Sequence, residues 1–316
     1  MTIDRIATNS QSQLMLSQIQ QAELALNKAQ TQVTSGKVAT DYAGIGDKVA
    51  MLEATRSAAN RADAYQSATT LAVNQANLQD SQMSSLSDLA NQLRQAITTA
   101  AGDSDGSTLM TTAQGIFDQV LQILNSKDTN GNYLYGGDKN DQLPVTATSL
   151  DDLSAMTSSS DAFQNGTLAN SVMIGDGQSV KVGMLASDIG SGLMKTLKDI
   201  ADFNAGPDGN FSTGLTDAQS TFLSGEISTA TTAASQVNNA AAGNGNIYSQ
   251  LKDASANQKT MSNLFQGFVA NIEQVDMPTA ITQLNQSQVA LQAALQVTAQ
   301  LNQVSLLNYI NPSSVG

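Results

Sequence analysis

Met15 to Val33 reads MLSQIQQAELALNKAQTQV, and within it Met15, Ile19, Ala22, Leu26, Ala29 and Val33 recur at steps of 4-3-4-3-4. That spacing keeps one apolar stripe along one side of a helix, the pattern of a coiled-coil seam. Ser35-Gly36-Lys37 places a glycine where such a helix stops. The loop Asp41-Tyr42-Ala43-Gly44-Ile45-Gly46 follows, and Asp47 is the expected cap of the next helix.

From about residue 47 to 101 there is neither Pro nor Gly, and Leu86, Leu89, Leu93, Ala96 and Ala100 continue the 3-4-3-4 rhythm. One helix of that length spans roughly 80 Å. Beyond the turn Gly102 to Gly106, Leu109, Ala113, Ile116, Val120 and Ile123 step by 4-3-4-3 and predict a third helix ending near Lys127. The composition then turns to Asn, Gly, Ser and Thr. Val180, Val182 and Met184 alternate behind the turn Gly175-Asp176-Gly177, so a small β-rich insert is expected over about 130 to 190. A short helix is expected over Asp188 to Phe203, with a loop at Gly206 to Asn210.

Helix returns from Thr216 to Val275, capped by Thr216 or Asp217 and weakened around Gly243-Asn244-Gly245. Asp276-Met277-Pro278 marks a break and restart, since proline is tolerated in the first turn of a helix. The last helix, Thr279 to about Asn308, carries Ser287, Ala290, Ala294, Val297, Leu301 and Val304 at 3-4-3-4-3, with Ile281, Leu284, Leu291 and Leu295 beside them. The fold class is therefore mainly α: long coiled-coil-like helices from both termini forming a rod whose ends lie together, with a small β-rich (α+β) outer insert. The expected segments are 1–46, an axial helix and loop; 47–129, long helices; 130–212, the outer insert; 213–275, the return helix; and 276–316, the C-terminal axial helix.

Composition narrows function. The 316 residues include no Cys, His or Trp, which removes the usual zinc, thiolate, imidazole and haem chemistries, and no cofactor is expected. A net charge of −13 opposes binding to nucleic acid and to anionic membrane surfaces. No apolar run approaches the roughly 20 residues of a membrane span, and the opening Met1 to Ile6 has no run of signal-peptide length.

Individual motifs yield no catalytic, cofactor or metal site. Asp128-Thr129-Asn130-Gly131-Asn132 opens like a calcium loop, but its glycine is fourth instead of sixth and the twelfth residue is Lys139 where a glutamate is needed. Ser35-Gly36-Lys37 lacks the first glycine of a phosphate loop, since position 31 is Thr. The pair Asp151-Asp152 sits in a Ser-rich loop context, as solvated charges do. What remains is the stripes themselves. Long helices with 4% aromatics bury too little area alone, which points to packing along partners. The expected assembly interface is Met15, Ile19, Ala22, Leu26, Ala29 and Val33 with Leu284, Leu291, Ala294, Val297, Leu301 and Val304; Ile3, Ile6, Leu306, Leu307, Tyr309 and Ile310 extend it at the ends.

These residues also carry a family resemblance, over roughly 1 to 140 and 250 to 310. The run ELALNKAQTQVTSGK from Glu23 to Lys37 resembles the N-terminal helix and turn of the bacterial flagellin family of axial proteins. Gly131-Asn132-Tyr133-Leu134-Tyr135-Gly136-Gly137, Leu284-Asn285-Gln286 and Ser305-Leu306-Leu307-Asn308-Tyr309-Ile310 are similar to its hook–filament junction members, and the Asp141 to Pro144 stretch falls where that family turns into its outer domain. Asp41 to Asp47 departs from the family's Pro-Ser-Asp-Asp-Pro-type loop. The resemblance implies a structural, non-enzymatic protein of the extracellular flagellum, exported through the flagellar type III apparatus. It would self-assemble in a helical layer against neighbouring axial proteins on the hook and on the filament or cap side, escorted by an export chaperone. A filament flagellin and a ligand- or metal-binding protein acting through 130–212 are the alternatives.

Overall fold

A computed structural model describes residues 2–310, with side-chain surroundings described from residue 10 to 301 and at 303. The chain divides into two compact units, one holding the residues up to Asn60 and from Ser262 onward, the other Arg61–Met261.

In the first unit, α1 (Thr2–Ser35) packs along α8 (Met277–Ile310). Between α1 and the start of α3 (Val49–Asp103) lies the one-turn helix α2 (Tyr42–Ile45). Asp41 caps α2 by accepting from the Gly44 N–H at 2.8 Å. The expected cap Asp47 sits instead in a 3-10 turn, Gly46–Lys48, that leads into α3. The last turns of α7 (Asp217–Glu273) complete this unit.

The second unit has the larger core. α3 carries buried residues at 72, 76, 79, 83, 86, 90, 93 and 97, spaced 4-3-4-3-4-3-4. α4 (Leu109–Leu124), the short α5 (Leu150–Ala155), α6 (Ala186–Ala205) and α7 pack around that face, with Leu86, Leu93, Ile97, Phe117, Leu124, Leu153, Ile189, Leu197, Leu223 and Val237 buried together. Gly192 lets α6 approach α7 closely, since a Cβ there would lie 2.9 Å from Ala233 Cα. Phe203 stacks on Phe222 at 4.1 Å and on Phe211 at 5.6 Å, closing one end of this core with three of the few aromatic rings.

The region expected to be β-rich holds two described strands, β1 (Ser171–Gly175) and β2 (Gln178–Lys181), paired antiparallel with Val172 opposite Val180. Asp176-Gly177 makes the turn, and Gly177 takes φ +70°, which glycine adopts without strain. Val180 and Val182 do point inward, onto Ala72, Ala76 and Leu251, but β2 stops before Val182. Outside the hairpin, 130–185 is loops and short helical turns; Leu150 and Leu153 bury through α5 and its Ser149 cap, which accepts from the Asp152 N–H at 3.0 Å.

Candidate assembly interface

The contact between α1 and α8 is built from the N-terminal stripe. Met15, Ile19, Ala22, Leu26 and Val33 are half-buried and Ala29 is buried, while Leu14, Leu16 and Leu24, off the stripe, stay exposed. On α8, Ala280 and Ser287 are buried and Leu284, Leu291, Ala294, Thr298 and Leu301 half-buried, a 4-3-4-3-4-3 series. Leu284, Leu291, Ala294 and Leu301 of the expected set therefore line the seam with α1. Val297 is half-exposed on another face, as are Ile281 and Leu295, and Val289 is 65% exposed. The side chain of Val304 and those of Ile3, Ile6, Leu306, Leu307, Tyr309 and Ile310 lie outside the described residues.

The α8 seam runs one position away from the 287-290-294-297 stripe that spacing alone favours. Apolar residues occur all round this helix, so two overlapping heptads are available and packing against α1 selects one. Ala280 and Thr298 were missed for that reason: one is small and the other polar, and only their partner identifies them.

A polar joint holds the base of the pair. The Gly36-Lys37 turn ends α1, and Lys37 forms a bridge with Gln274. The Val38 N–H donates to the Glu273 carbonyl at 2.7 Å and the Val275 N–H to the Gly36 carbonyl at 3.0 Å. Gln32 adds a bond from Nε2 to the Val38 carbonyl at 2.8 Å. Arg56 on α3 pairs with Glu273 and, at 3.3 Å, with Glu53. The Tyr42 hydroxyl donates to Glu53 at 2.7 Å, and that bond, followed by the carboxylate's charge, holds the phenol's pKa above its ordinary value. The departing loop is thus tied to the helices it connects.

α8 contains no Asp, Glu, Lys or Arg over its 34 residues, and α1 contains only Asp4, Arg5, Glu23 and Lys28. An exposed helix in water normally carries charge on its free face. A surface of Val, Leu, Ala, Gln, Ser and Thr can desolvate against another protein surface without stranding an ion, as the centres of interfaces do. The exposed Leu264 and Phe268, one turn apart on α7, add apolar area in the same unit.

Elsewhere, the Asp128 loop is an Asx turn. Its Oδ1 accepts from the N–H groups of both Asn130 and Asn132, at 2.8 and 2.9 Å, so that oxygen serves the backbone. Just after it, Leu134 and Tyr135 of the Gly-Asn-Tyr-Leu-Tyr-Gly-Gly segment are buried, and the Tyr135 hydroxyl donates to Gln82 Oε1 at 2.6 Å. This segment is a core plug between α3 and α6, with the Ala186 N–H donating to the Tyr135 carbonyl at 3.0 Å.

Residues 6–140 match the bacterial flagellin N-terminal helical region and residues 227–310 the bacterial flagellin C-terminal helical region. Among solved structures, one described as a flagellar hook-associated protein from Vibrio parahaemolyticus is similar in fold, with a TM-score of 0.59 at 16% identity over 74% of this chain and 99% of that one. FlgL of Bacillus cereus aligns at 14% identity over 70% of this chain and 99% of that one, with a TM-score of 0.45. Comparison with curated proteins gave no significant match.

Proposed function

The chain belongs to the flagellin family, whose N- and C-terminal regions together account for about two thirds of it, and from that premise we propose that it joins the flagellar hook to the filament. As a family member it is a structural component of the bacterial flagellum. The observation that carries the assembly reading is α8, a helix with no charged side chain that leaves Ile281, Val289, Leu295 and Val297 exposed. Such a face gains free energy when neighbouring helices cover it, so incorporation into a helical array stabilises subunit and polymer together.

The junction assignment rests on the segment Gly131 to Gly137 and on the closing helix, which resemble junction members, and on the likeness in fold to the Vibrio protein described as hook-associated. A junction layer presents one face to the hook side and a different one to the filament, which head-to-tail contacts provide. Met15, Ile19, Ala22, Leu26, Ala29 and Val33 with Leu284, Leu291, Ala294 and Leu301 would form the inner helical pair, and Val297 and Val304 its contacts with neighbouring subunits. Export through the flagellar type III apparatus with a chaperone belongs to the same reading.

Immunogold electron microscopy of intact flagella, with an antibody against residues 130–212, tests the placement. Label at the hook–filament joint alone is expected. Label along the whole filament would make the protein a filament subunit, and its absence from flagella would overturn the flagellar placement altogether.

A further inference from the structure

Asn244, flanked by Gly243 and Gly245, lies inside the unbroken helix α7 with its side chain 1% exposed. Its Nδ2 donates to the Ala76 carbonyl on α3 at 2.8 Å, while its Oδ1 has no partner. Three residues further along α3, Gln79 is fully buried and neither Oε1 nor Nε2 is paired. Both residues occupy seam positions, Gln79 in the series 72-76-79-83 and Asn244 between Val237 and Leu251. Buried amides in proteins are otherwise almost always satisfied, and the cost of leaving them unpaired falls on the closed state of the seam.

The glycines weaken the same layer from the backbone side. A Cβ added at Gly243 or Gly245 would meet no atom within 4 Å, so packing does not require glycine at either place, and glycine disfavours helix. The flanks are strong. On one side the β1–β2 hairpin grips both helices: Tyr65 on α3 donates to Asp176 at 2.7 Å, and Gln258 on α7 donates to the Ile174 carbonyl at 2.8 Å. On the other side begins the large core, with Met83, Leu86 and Val237 buried.

We propose that Gln79, Asn244 and the two flanking glycines form a built-in opening point, where α7 yields locally over residues 241–248 and admits water to the two amides while the hairpin clamp and the core stay closed. The helix pair can then flex at one layer without losing its packing.

Amide hydrogen exchange on the full chain tests this. In the native protein, residues 241–248 should exchange at least about tenfold faster than 230–237 after correction for intrinsic rates. Q79L/N244L should slow exchange at 241–248 by about tenfold, with α6 unchanged as the internal control. G243A/G245A keeps both amides and should slow it about fivefold even if the leucine variant does not fold. Equal protection of the two native segments, or no slowing in either folded variant, overturns the proposal.

Discussion

Tyr135 shows how much one side chain of the Gly131 to Gly137 segment contributes. Its ring is fully buried and its hydroxyl donates to Gln82, which in turn donates from Nε2 to Ser126 Oγ at 3.0 Å. Tyr135→Phe keeps the ring and strands the Gln82 acceptor, so a loss of about 1 kcal/mol at pH 7 is expected, read as a lower urea midpoint. Burial also holds this phenol's pKa well above its ordinary value of 10.0. The folded state keeps the proton while the unfolded chain releases it, so the contribution is whole below about pH 10 and declines above it, by up to ~1.4 kcal/mol per pH unit. Y135F should therefore lose less stability than the native protein between neutral and strongly alkaline pH. Parallel losses in the two proteins would show that Tyr135 is not the group responsible.

Elements are where sequence and structure compare most directly. α1, α3 and α4 follow their 4-3 spacings, and the ends of α3 and α4 fall within a few residues of the glycine turn and the Asn-rich stretch that predict them. α7 crosses Gly243-Asn244-Gly245 without a break because the seam on α3 holds it there, a tertiary effect that local propensity cannot report. The small β-containing insert expected over 130–190 is present as a two-stranded sheet that occupies only part of that span. Val172, Ile174, Val180 and Val182 cover one surface with Ala72, Ala76 and Leu251, whereas Leu150 and Leu153 bury through a capped helical turn instead. The start of α7 was legible as Thr216, and the structure adds its reciprocal partner. Thr216 Oγ1 accepts from the Gln219 N–H at 3.2 Å while Gln219 Oε1 accepts from the Thr216 N–H at 3.0 Å. Gln219 also donates to the Asp208 and Gly209 carbonyls, tying the preceding loop to the helix. Thr216→Ala should cost about 1 kcal/mol, and Gln219→Ala more, because it truncates a buried side chain and removes its bonds to the Asp208 and Gly209 carbonyls as well. Thermal unfolding followed by circular dichroism would rank them; a T216A loss equal to or above that of Q219A would contradict the assignment.

For the whole molecule, the question is which apolar surface serves the chain and which serves its neighbours. Leu291 is half-buried against α1, whereas Val297 is half-exposed on the same uncharged helix. Leu291→Asp forces a carboxylate into the α1–α8 seam, so both the pairing of these helices and incorporation into flagella should fail. Val297→Asp puts the same charge in water, where surface substitutions change stability by no more than about 0.5 kcal/mol. Its cost appears when a neighbouring subunit must dehydrate the carboxylate, with no cation on α8 to pair it. V297D should therefore match the native chain in helix content and thermal midpoint, yet be absent from purified flagella when expressed as the sole copy. Normal incorporation of V297D would remove Val297 from the contacts between subunits and confine the interface to faces where the charged residues of α1 and α7 can follow.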